Sequence, residues 1–291
     1  MDKTWKITPE IFKHESSQAS KIELKEIIKE NESKDQPWGV YDAELRNLES
    51  TFIRVLIKKG DVAVYFQELL EQKFHGRLGD LRGVELGGPG SRLFFELNEG
   101  GKRKIFSKSV GITLNDLRTP GIKSIDNRQG HKIIEGDIFA PDRDPKSAYQ
   151  KVSKWLGAEK ADFMVERMLL GLERYNTLKF EFFFVNLKRW YKLLGKGGIF
   201  LAELPVPQED ADAALFQRTV EEWVKYLKEK HAHEIKAESE FWKIRELNTH
   251  MGALYLEKIE DTPLPRQRNT AVYGQGISES KKTLYKALPE I

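Results

Sequence analysis

Cysteine is absent from the 291 residues of the chain. Disulfide bonds, thiolate metal sites and cysteine nucleophiles are therefore excluded. Long apolar runs are missing as well. No stretch approaches the roughly twenty residues that a membrane-spanning helix needs, and the start, MDKTWKITPE, lacks the apolar centre of a signal peptide. We therefore expect a cytoplasmic, soluble protein without a membrane partner.

An excess of charge of one sign is missing too. Lysine and arginine number 48 against 45 acidic residues, which gives a net charge of +3. This near-balance provides no general argument for binding nucleic acid or a membrane surface. Hydrophobic residues make up 40% and charged residues 32% of the chain, so a core can be buried while the surface stays soluble. The length suits one large domain or a domain with an appendage.

Several well-known site motifs are not found in the sequence. There is no G-x-S-x-G nucleophile elbow and no G-x-x-x-x-G-K-[ST] phosphate loop. The dinucleotide fingerprint G-x-G-x-x-G is only half present, because Gly88 and Gly90 are followed by Leu93 where the third glycine belongs. His231 and His233 form an H-x-H pair without an evident third ligand, so we predict no metal site. His131 shows no evident partner either.

A glycine-rich stretch is what the sequence does contain. The apolar run Val84–Leu86 carries one acid, Glu85, and is followed by Gly87, Gly88, Pro89 and Gly90. An apolar segment then begins after Ser91, which can cap a helix. The pattern predicts a strand, a glycine turn and a helix. Glycine permits positive φ angles and the close approach of a ligand, and in α/β sheets such turns lie at the ligand-binding edge.

Short apolar segments alternate with longer helical ones after this turn, which is typical of βαβ units and a parallel sheet. The last two strands are joined by a short turn and must therefore be antiparallel. The predicted strands are Val84–Leu86, Ser109–Leu114, Lys132–Ile134, Asp162–Glu166, Ile199–Glu203, Ile235–Glu246 and Ala253–Ile259.

Together, the acid followed by G-x-G and this order of strands resemble the class I S-adenosylmethionine-dependent methyltransferases over about residues 81–260. The resemblance implies an α/β fold: a seven-stranded, mostly parallel Rossmann-like sheet with a terminal antiparallel hairpin and helices on both faces. It also implies S-adenosylmethionine as cofactor and methyl transfer to an O or N atom. Lys196-Gly197-Gly198 fits the family as a turn before the fifth strand.

The resemblance further implies which residues bind the cofactor. Glu85 stands at the family's first acid, where it can steady the turn or attract the ligand's ammonium, and main-chain atoms of Gly87, Gly88 and Gly90 would lie against the ligand. After the second strand the family carries an acid that binds both ribose hydroxyls, and here Thr113 stands at that position. Asn115 and Asp116 lie just beyond it, and we predict that Asp116 binds the ribose. Gly136-Asp137-Ile138 matches the third motif, in which Asp137 accepts from the adenine amino group and Ile138 packs on the ring. Without a ligand, these acids would be turn or capping residues.

The end of the fourth strand is where the family places acceptor-side residues. Here it offers Glu166, as a base or a ligand for a cationic acceptor, and Arg167, as a clamp for a carboxylate or phosphate. A structural Glu166–Arg167 surface pair is the alternative. Glu203, at the end of the fifth strand, is a further candidate. The [ND]-P-P-[YF] signature is absent, which disfavours methylation of nucleobases or glutamine of that type.

We predict three segments: a helical extension at 1–80, a methyltransferase-like domain at 81–260 and a tail at 261–291. The extension is either a lid over the site or a layer of helices packed on the core. The expected acceptor is a small molecule. Two alternatives stay open: a binding or scaffold protein with a degraded cofactor site, and a nucleic-acid methyltransferase, for which tail lysines and a pI near 8.7 are the support. The sequence gives no indication of an oligomeric state.

Overall fold

The structure is a computed structural model, and it describes residues 42, 44–59, 65–99, 103–116, 118–138, 140, 142–167, 180–204, 206, 210–245 and 248–266. The first half of the predicted helical extension, residues 1–41, and most of the predicted tail lie outside these residues. No helix in the described part of the chain has the length and apolar character needed to cross a bilayer.

Seven strands form a single sheet in the order β3-β2-β1-β4-β5-β7-β6. The first five strands pair in parallel, and β7 runs antiparallel to both of its neighbours. The dinucleotide-binding fold has the order 3-2-1-4-5-6 with all strands parallel, so the inserted reversed strand distinguishes this sheet from it. The predicted fold class, a Rossmann-like methyltransferase sheet with a terminal hairpin, is confirmed. The strands are β1 (Leu81–Leu86), β2 (Phe106–Thr113), β3 (His131–Glu135), β4 (Ala161–Glu166), β5 (Leu194–Glu203), β6 (Ile235–Ile244) and β7 (Thr249–Lys258).

Helices cover both faces of the sheet, and each face has its own apolar core. Along β4, Phe163 and Val165 belong to the core under α1, α2 and α3, whereas Met164 belongs to the core under α5, α6 and α7. This two-sided burial explains why the parallel strands are almost continuously apolar. The helices are α1 (Leu45–Lys59), α2 (Phe66–Lys73), α3 (Ser91–Leu97), α4 (Pro120–Gln129), α5 (Ala148–Leu156), α6 (Phe180–Tyr191) and α7 (Asp210–Lys230).

The first two helices pack directly on the sheet. Phe52 and Leu56 of α1 and Phe66 of α2 are fully buried in the same core as Val165 and Tyr255. Ion pairs join the helices to the hairpin, from Lys58 to Glu240 and from Lys73 to Glu257, both at 2.8 Å. Helices α1 and α2 therefore form a layer of the core. The lid proposed for the rest of the extension, with Trp5, Phe12, Trp38 and Tyr41, falls on residues outside the description.

The prediction that Ser91 caps α3 was wrong. The N-cap is Gly90, with φ +69°, and Ser91 is the first helical residue. The Ser91 hydroxyl donates instead to the Asp126 carboxylate at 2.7 Å, which as a charged acceptor forms the stronger hydrogen bond. The free N–H of Arg92 donates to Asp42 Oδ2 at 2.9 Å. A side chain from another segment therefore does the capping.

The turn predicted at residues 196–198 was also wrong. Strand β5 begins at Leu194, so these residues lie inside the strand. Gly197 has φ +78°, and the pairing of β4 with β5 shifts register between Ala161 and Phe163. The two glycines therefore accommodate an irregularity near the start of the strand.

Candidate active site

The sequence-predicted site residues all lie at the carboxyl edge of the sheet. Glu85 and the glycine turn are at the end of β1, Thr113 ends β2, and Glu166 ends β4. Asp137 follows β3, and Glu203 is the last residue of β5. Because these five strands are parallel neighbours, their ends meet at one edge, which is where open α/β sheets bind ligands.

The glycine turn folds back over β2. Gly87 and Gly90 have φ angles of +85° and +69°, a region that side-chain-bearing residues rarely adopt. Gly88 forms an antiparallel bridge with Ile112. A Cβ atom on Gly111 would overlap the Pro89 carbonyl group. The shape of the turn therefore depends on a glycine of the neighbouring strand that sequence reasoning did not single out.

A buried histidine holds this turn from the side of β3. The Nε2–H of His131 donates to the Pro89 carbonyl oxygen at 2.8 Å, and Nδ1 accepts from the Ser109 hydroxyl at 2.8 Å. The proton must sit on Nε2 because a carbonyl oxygen can only accept. Burial lowers the pKa of His131 to about 4, so the ring is neutral at physiological pH. No local sequence pattern encodes a contact between residues 42 positions apart.

Glu85 is fully buried and forms an ion pair with Arg167. The pairing predicted as an alternative, Glu166 with Arg167 on the surface, was wrong. Burial raises the pKa of Glu85, and the Arg167 guanidinium opposes that rise. Cβ atoms on Gly87 and Gly88 would collide with the Arg167 carbonyl and guanidinium groups. The space that these two glycines leave is therefore taken by Arg167.

A second buried acid lies beside this pair. Asp42, which caps α3, has its pKa held well above the ordinary value by burial and by the Glu85 charge. In return, the N–H of Leu45, at the start of α1, donates a hydrogen bond to the Glu96 carboxylate of α3 at 2.7 Å. The two helices therefore cap each other, which fixes α1 next to the glycine turn.

The turn after β2 is tied to the turn after β3. The Thr113 hydroxyl donates to the Asn115 carbonyl oxygen at 2.5 Å, and the Thr113 carbonyl accepts from the N–H of Gly136 at 2.9 Å. The N–H of Asp116 donates to Glu135 Oε1 at 2.7 Å. The residues predicted for the ribose and the adenine are therefore held next to each other.

Asp116 forms a two-pronged pair with Arg118. Nε and Nη2 of Arg118 both lie 2.9 Å from the Asp116 carboxylate, and Lys123 lies 3.5 Å from it. Although partial burial opposes the shift, the hydrogen bonds and charge of Arg118 lower the pKa of Asp116, so it is ionised. Asp116 and Glu135 open onto a groove of about 840 Å³ at the edge strand, which is also lined by Lys123, Ile133, Ile134, Lys151, Lys154 and Trp155.

Asp137 lies in a segment that is fixed by its main chain and by Arg189. Its N–H donates to the Lys146 carbonyl at 2.9 Å, and its carbonyl accepts from the N–H of Ala148 at 3.0 Å. Arg189, on α6, donates to the Ser147 hydroxyl at 2.7 Å and pairs with Asp142 at 2.7 Å. Its guanidinium also lies 4.8 Å from the centre of the Tyr149 ring. Sequence reasoning missed Arg189, because only the folded chain brings α6 to this segment.

Glu166 is 2% exposed, and its Oε2 atom has no hydrogen-bond partner among the described residues. Burial, with a further contribution from Glu203, raises the pKa of Glu166 to about 8. The carboxyl group is therefore protonated at neutral pH. It can donate a hydrogen bond in that form and accept a proton once it is ionised.

The turns after β2 and β3 suit a nucleoside, and Glu85 is not open to the ammonium of an amino acid. Acids follow both β2 and β3, and the orphaned Glu166 Oε2 leaves a buried polar atom for a ligand to satisfy. Glu85, by contrast, is enclosed and faces Arg167. The roles expected from sequence for Glu85, Gly87, Gly88, Gly90, Thr113, Asp116, Asp137 and Ile138 stay predictions.

Several solved methyltransferase structures are similar to the chain. An O-methyltransferase from Bacillus cereus shares 12% identity over 81% of this chain and 90% of its own, with a TM-score of 0.45. A putative O-methyltransferase from Klebsiella pneumoniae shares 10% identity over 72% of this chain and 89% of its own, with a TM-score of 0.40. The O-methyltransferase TomG from Streptomyces achromogenes shares 12% identity over 76% of this chain and 92% of its own, with a TM-score of 0.37.

No protein-family model and no curated protein matches the chain.

Proposed function

We propose that the protein transfers a methyl group from S-adenosylmethionine to an O or N atom of a small-molecule acceptor. One observation carries the proposal: the glycine turn, Asp116, Asp137 and Glu166 follow or end the four neighbouring strands β1, β2, β3 and β4 at one edge of the sheet. An α/β sheet binds its ligand at this edge, and the order of these residues along the edge is the order in which the methyltransferase resemblance assigns their roles.

The nucleoside half of the cofactor is assigned to the turns after β2 and β3. Asp137 would accept a hydrogen bond from the adenine amino group while Ile138 packs on the ring. Asp116 would accept from the ribose hydroxyls, with Thr113 beside it. The link between Thr113 and Gly136 supports this assignment, because it sets the two turns at a fixed separation.

The other half is assigned to the glycine turn and to the end of β4. Main-chain atoms of Gly87, Gly88 and Gly90 would line it. Glu85 would orient Arg167, whose side chain is 17% exposed and whose guanidinium can bind a carboxylate in two-pronged fashion. That carboxylate would belong to the cofactor or to the acceptor.

The bound cofactor supplies an activated methyl group, so the chain mainly has to position the reactants and exclude water. A base is needed only if the acceptor atom carries a proton that must leave. Glu166 is the residue assigned to that step, since its carboxylate would ionise close to physiological pH.

Binding of S-adenosylhomocysteine, measured by calorimetry, tests the proposal. We expect the wild-type protein to bind it and Asp137→Ala to bind it at least about tenfold more weakly, the effect of losing about 1.4 kcal/mol. Asp80→Ala is the matched control, because exposed Asp80 precedes β1 at the opposite edge of the sheet. No heat and no thermal shift with millimolar ligand on folded wild-type protein would refute the proposal.

Two observations favour a second candidate, a binding or scaffold protein on the same fold. Arg118 already engages both carboxylate oxygens of Asp116, and Arg167 occupies the space beside Gly87 and Gly88. This candidate predicts either no binding of S-adenosylhomocysteine, or binding without methyl transfer to any acceptor in a metabolite pool. Labelled methyl transfer from S-adenosylmethionine to such a pool would exclude it.

A further inference from the structure

Two buried carboxyl groups lie at the ends of adjacent strands. Glu166 is the last residue of β4 and pairs with Ala202 of β5, the residue before Glu203. Their residues are 2% and 4% exposed. The Glu203 charge adds to the rise that burial causes in the pKa of Glu166.

Glu166 lacks the counterion that a buried carboxylate ordinarily needs. Its Oε2 atom accepts no hydrogen bond from the described residues. No basic side chain in that part of the chain lowers its pKa, and the neighbouring Arg167 pairs with Glu85. A buried charge without a partner is strongly unfavourable, so the group must take up either a proton or a cation.

We propose that Glu166 and Glu203 bind the amino group of the methyl acceptor, which is therefore a primary or secondary amine. This inference rests on the proposed function and narrows its substrate class. An ammonium group supplies both the missing charge and several N–H donors, whereas a hydroxyl group supplies one donor and no charge. Between the two acceptor atoms allowed by the proposed function, the site thus selects nitrogen.

The chemistry balances with the carboxyl pair as proton acceptor. An arriving ammonium first gives one proton to the ionised Glu166 carboxylate, which leaves a lone pair on nitrogen. That lone pair forms the new bond to the methyl carbon, and the carbon–sulfur bond breaks with its electrons going to sulfur. The product is a methylated ammonium and a neutral thioether, and the proton on Glu166 then leaves to water.

Methylamine is the probe of choice, because the smallest primary amine fits whatever the rest of the acceptor looks like. The full chain, saturated with S-adenosylhomocysteine, is labelled with carbon-13 at the glutamate carboxyl groups. The Glu166 signal is assigned by its loss in Glu166→Gln or, should that variant not fold, by its displacement in Glu203→Gln. The signal is titrated with pH in methylammonium chloride, and in potassium chloride with and without methanol.

We expect the pKa of Glu166 to fall by about one unit or more in methylammonium, the effect of an opposite charge in direct contact. Methanol should leave the pKa unchanged. In Glu203→Gln, the pKa of Glu166 without amine should be lower than in the wild type, and methylammonium should change it less. Glu229→Gln, on the exposed side of α7, is the control and should respond to methylammonium like the wild type. Equal pKa values in methylammonium and in potassium chloride would overturn the inference. If S-adenosylhomocysteine itself does not bind, the proposed function fails instead, and calorimetry detects that separately.

Discussion

Burial shifts the side chains of Glu166 and His131 toward their neutral forms. The pKa of Glu166 is raised to about 8, whereas that of His131 is lowered to about 4. At neutral pH, therefore, Glu166 keeps its proton and His131 carries one proton only. His131 can hold the glycine turn as a neutral donor because it does not gain a second proton until the solution is strongly acidic.

His131 gives a testable pH dependence of stability. Its folded pKa of about 4 lies below its ordinary value of 6.5, so the unfolded chain binds a proton between these pH values that the folded chain does not. The contribution of His131 to stability should therefore be complete above pH 6.5 and fall toward pH 4, by at most about 1.4 kcal/mol per pH unit.

The variant His131→Gln keeps a donor for the Pro89 carbonyl but does not titrate. At pH 7.5 it should be less stable than wild type by about 1 kcal/mol, because the bond from Ser109 is lost. In urea unfolding experiments this difference in stability should shrink and then change sign as the pH falls from 6.5 to 4, because the loss from protonation of the unfolded chain at His131 exceeds about 1 kcal/mol over that range. Exposed His75→Gln is the control. Stability curves that stay parallel for His131→Gln and wild type would contradict the assignment.

At the scale of the elements, the site is shaped by contacts between one strand end and the next. The turn after β1 folds over β2 and is held from β3 by His131. Arg167, which follows β4, forms an ion pair with Glu85 of β1. Four neighbouring strands thus determine a single turn, so a small change on one strand should be felt at the cofactor site of another.

Gly111→Ala tests this coupling. Its added methyl group would overlap the Pro89 carbonyl, so we expect a loss of about 1–3 kcal/mol in stability and weaker binding of S-adenosylhomocysteine. Gly121→Ala is the matched control, because the nearest atom to its new Cβ would be Thr119 Oγ1 at 3.8 Å. In helix α4 that change should be neutral or stabilising. If both variants bind and unfold like wild type, the turn is not shaped as described.

At the scale of the molecule, the described helices and the sheet form one two-sided body. The core between α1–α3 and the sheet joins residues from 48 to 255. A layer of helices that shares its core with β1, β2, β4 and β5 should unfold together with the sheet and not before it. This bears on the predicted boundary at residue 80, which runs between α2 and β1.

Phe52→Ala measures how far α1 contributes to this common core. Phe52 is fully buried, whereas Ile57 on the same helix is 58% exposed. We expect Phe52→Ala to cost about 3–5 kcal/mol and to lower the midpoint of a single thermal transition, and Ile57→Ala to change it little. A separate early transition in the Phe52 variant would show instead that α1 unfolds independently of the sheet.

The sequence by itself determined the order and type of the elements and the edge at which the site lies. Alternation of apolar segments gave the βαβ units that the sheet contains. Glu166 and Asp137 were found because the resemblance places functional residues at the end of the fourth strand and after the third. Local periodicity and strand ends are properties of short segments, so a sequence reveals them.

Only the tertiary structure decided which side chains meet. The pairing of Arg167 with Glu85, the hold of His131 on Pro89, and the capping of α3 by Asp42 each join residues from separate elements. The burial that leaves Glu166 protonated likewise comes from the packing of layers around it. Such contacts and pKa values depend on distances through space between segments far apart along the chain, and no local pattern specifies those distances.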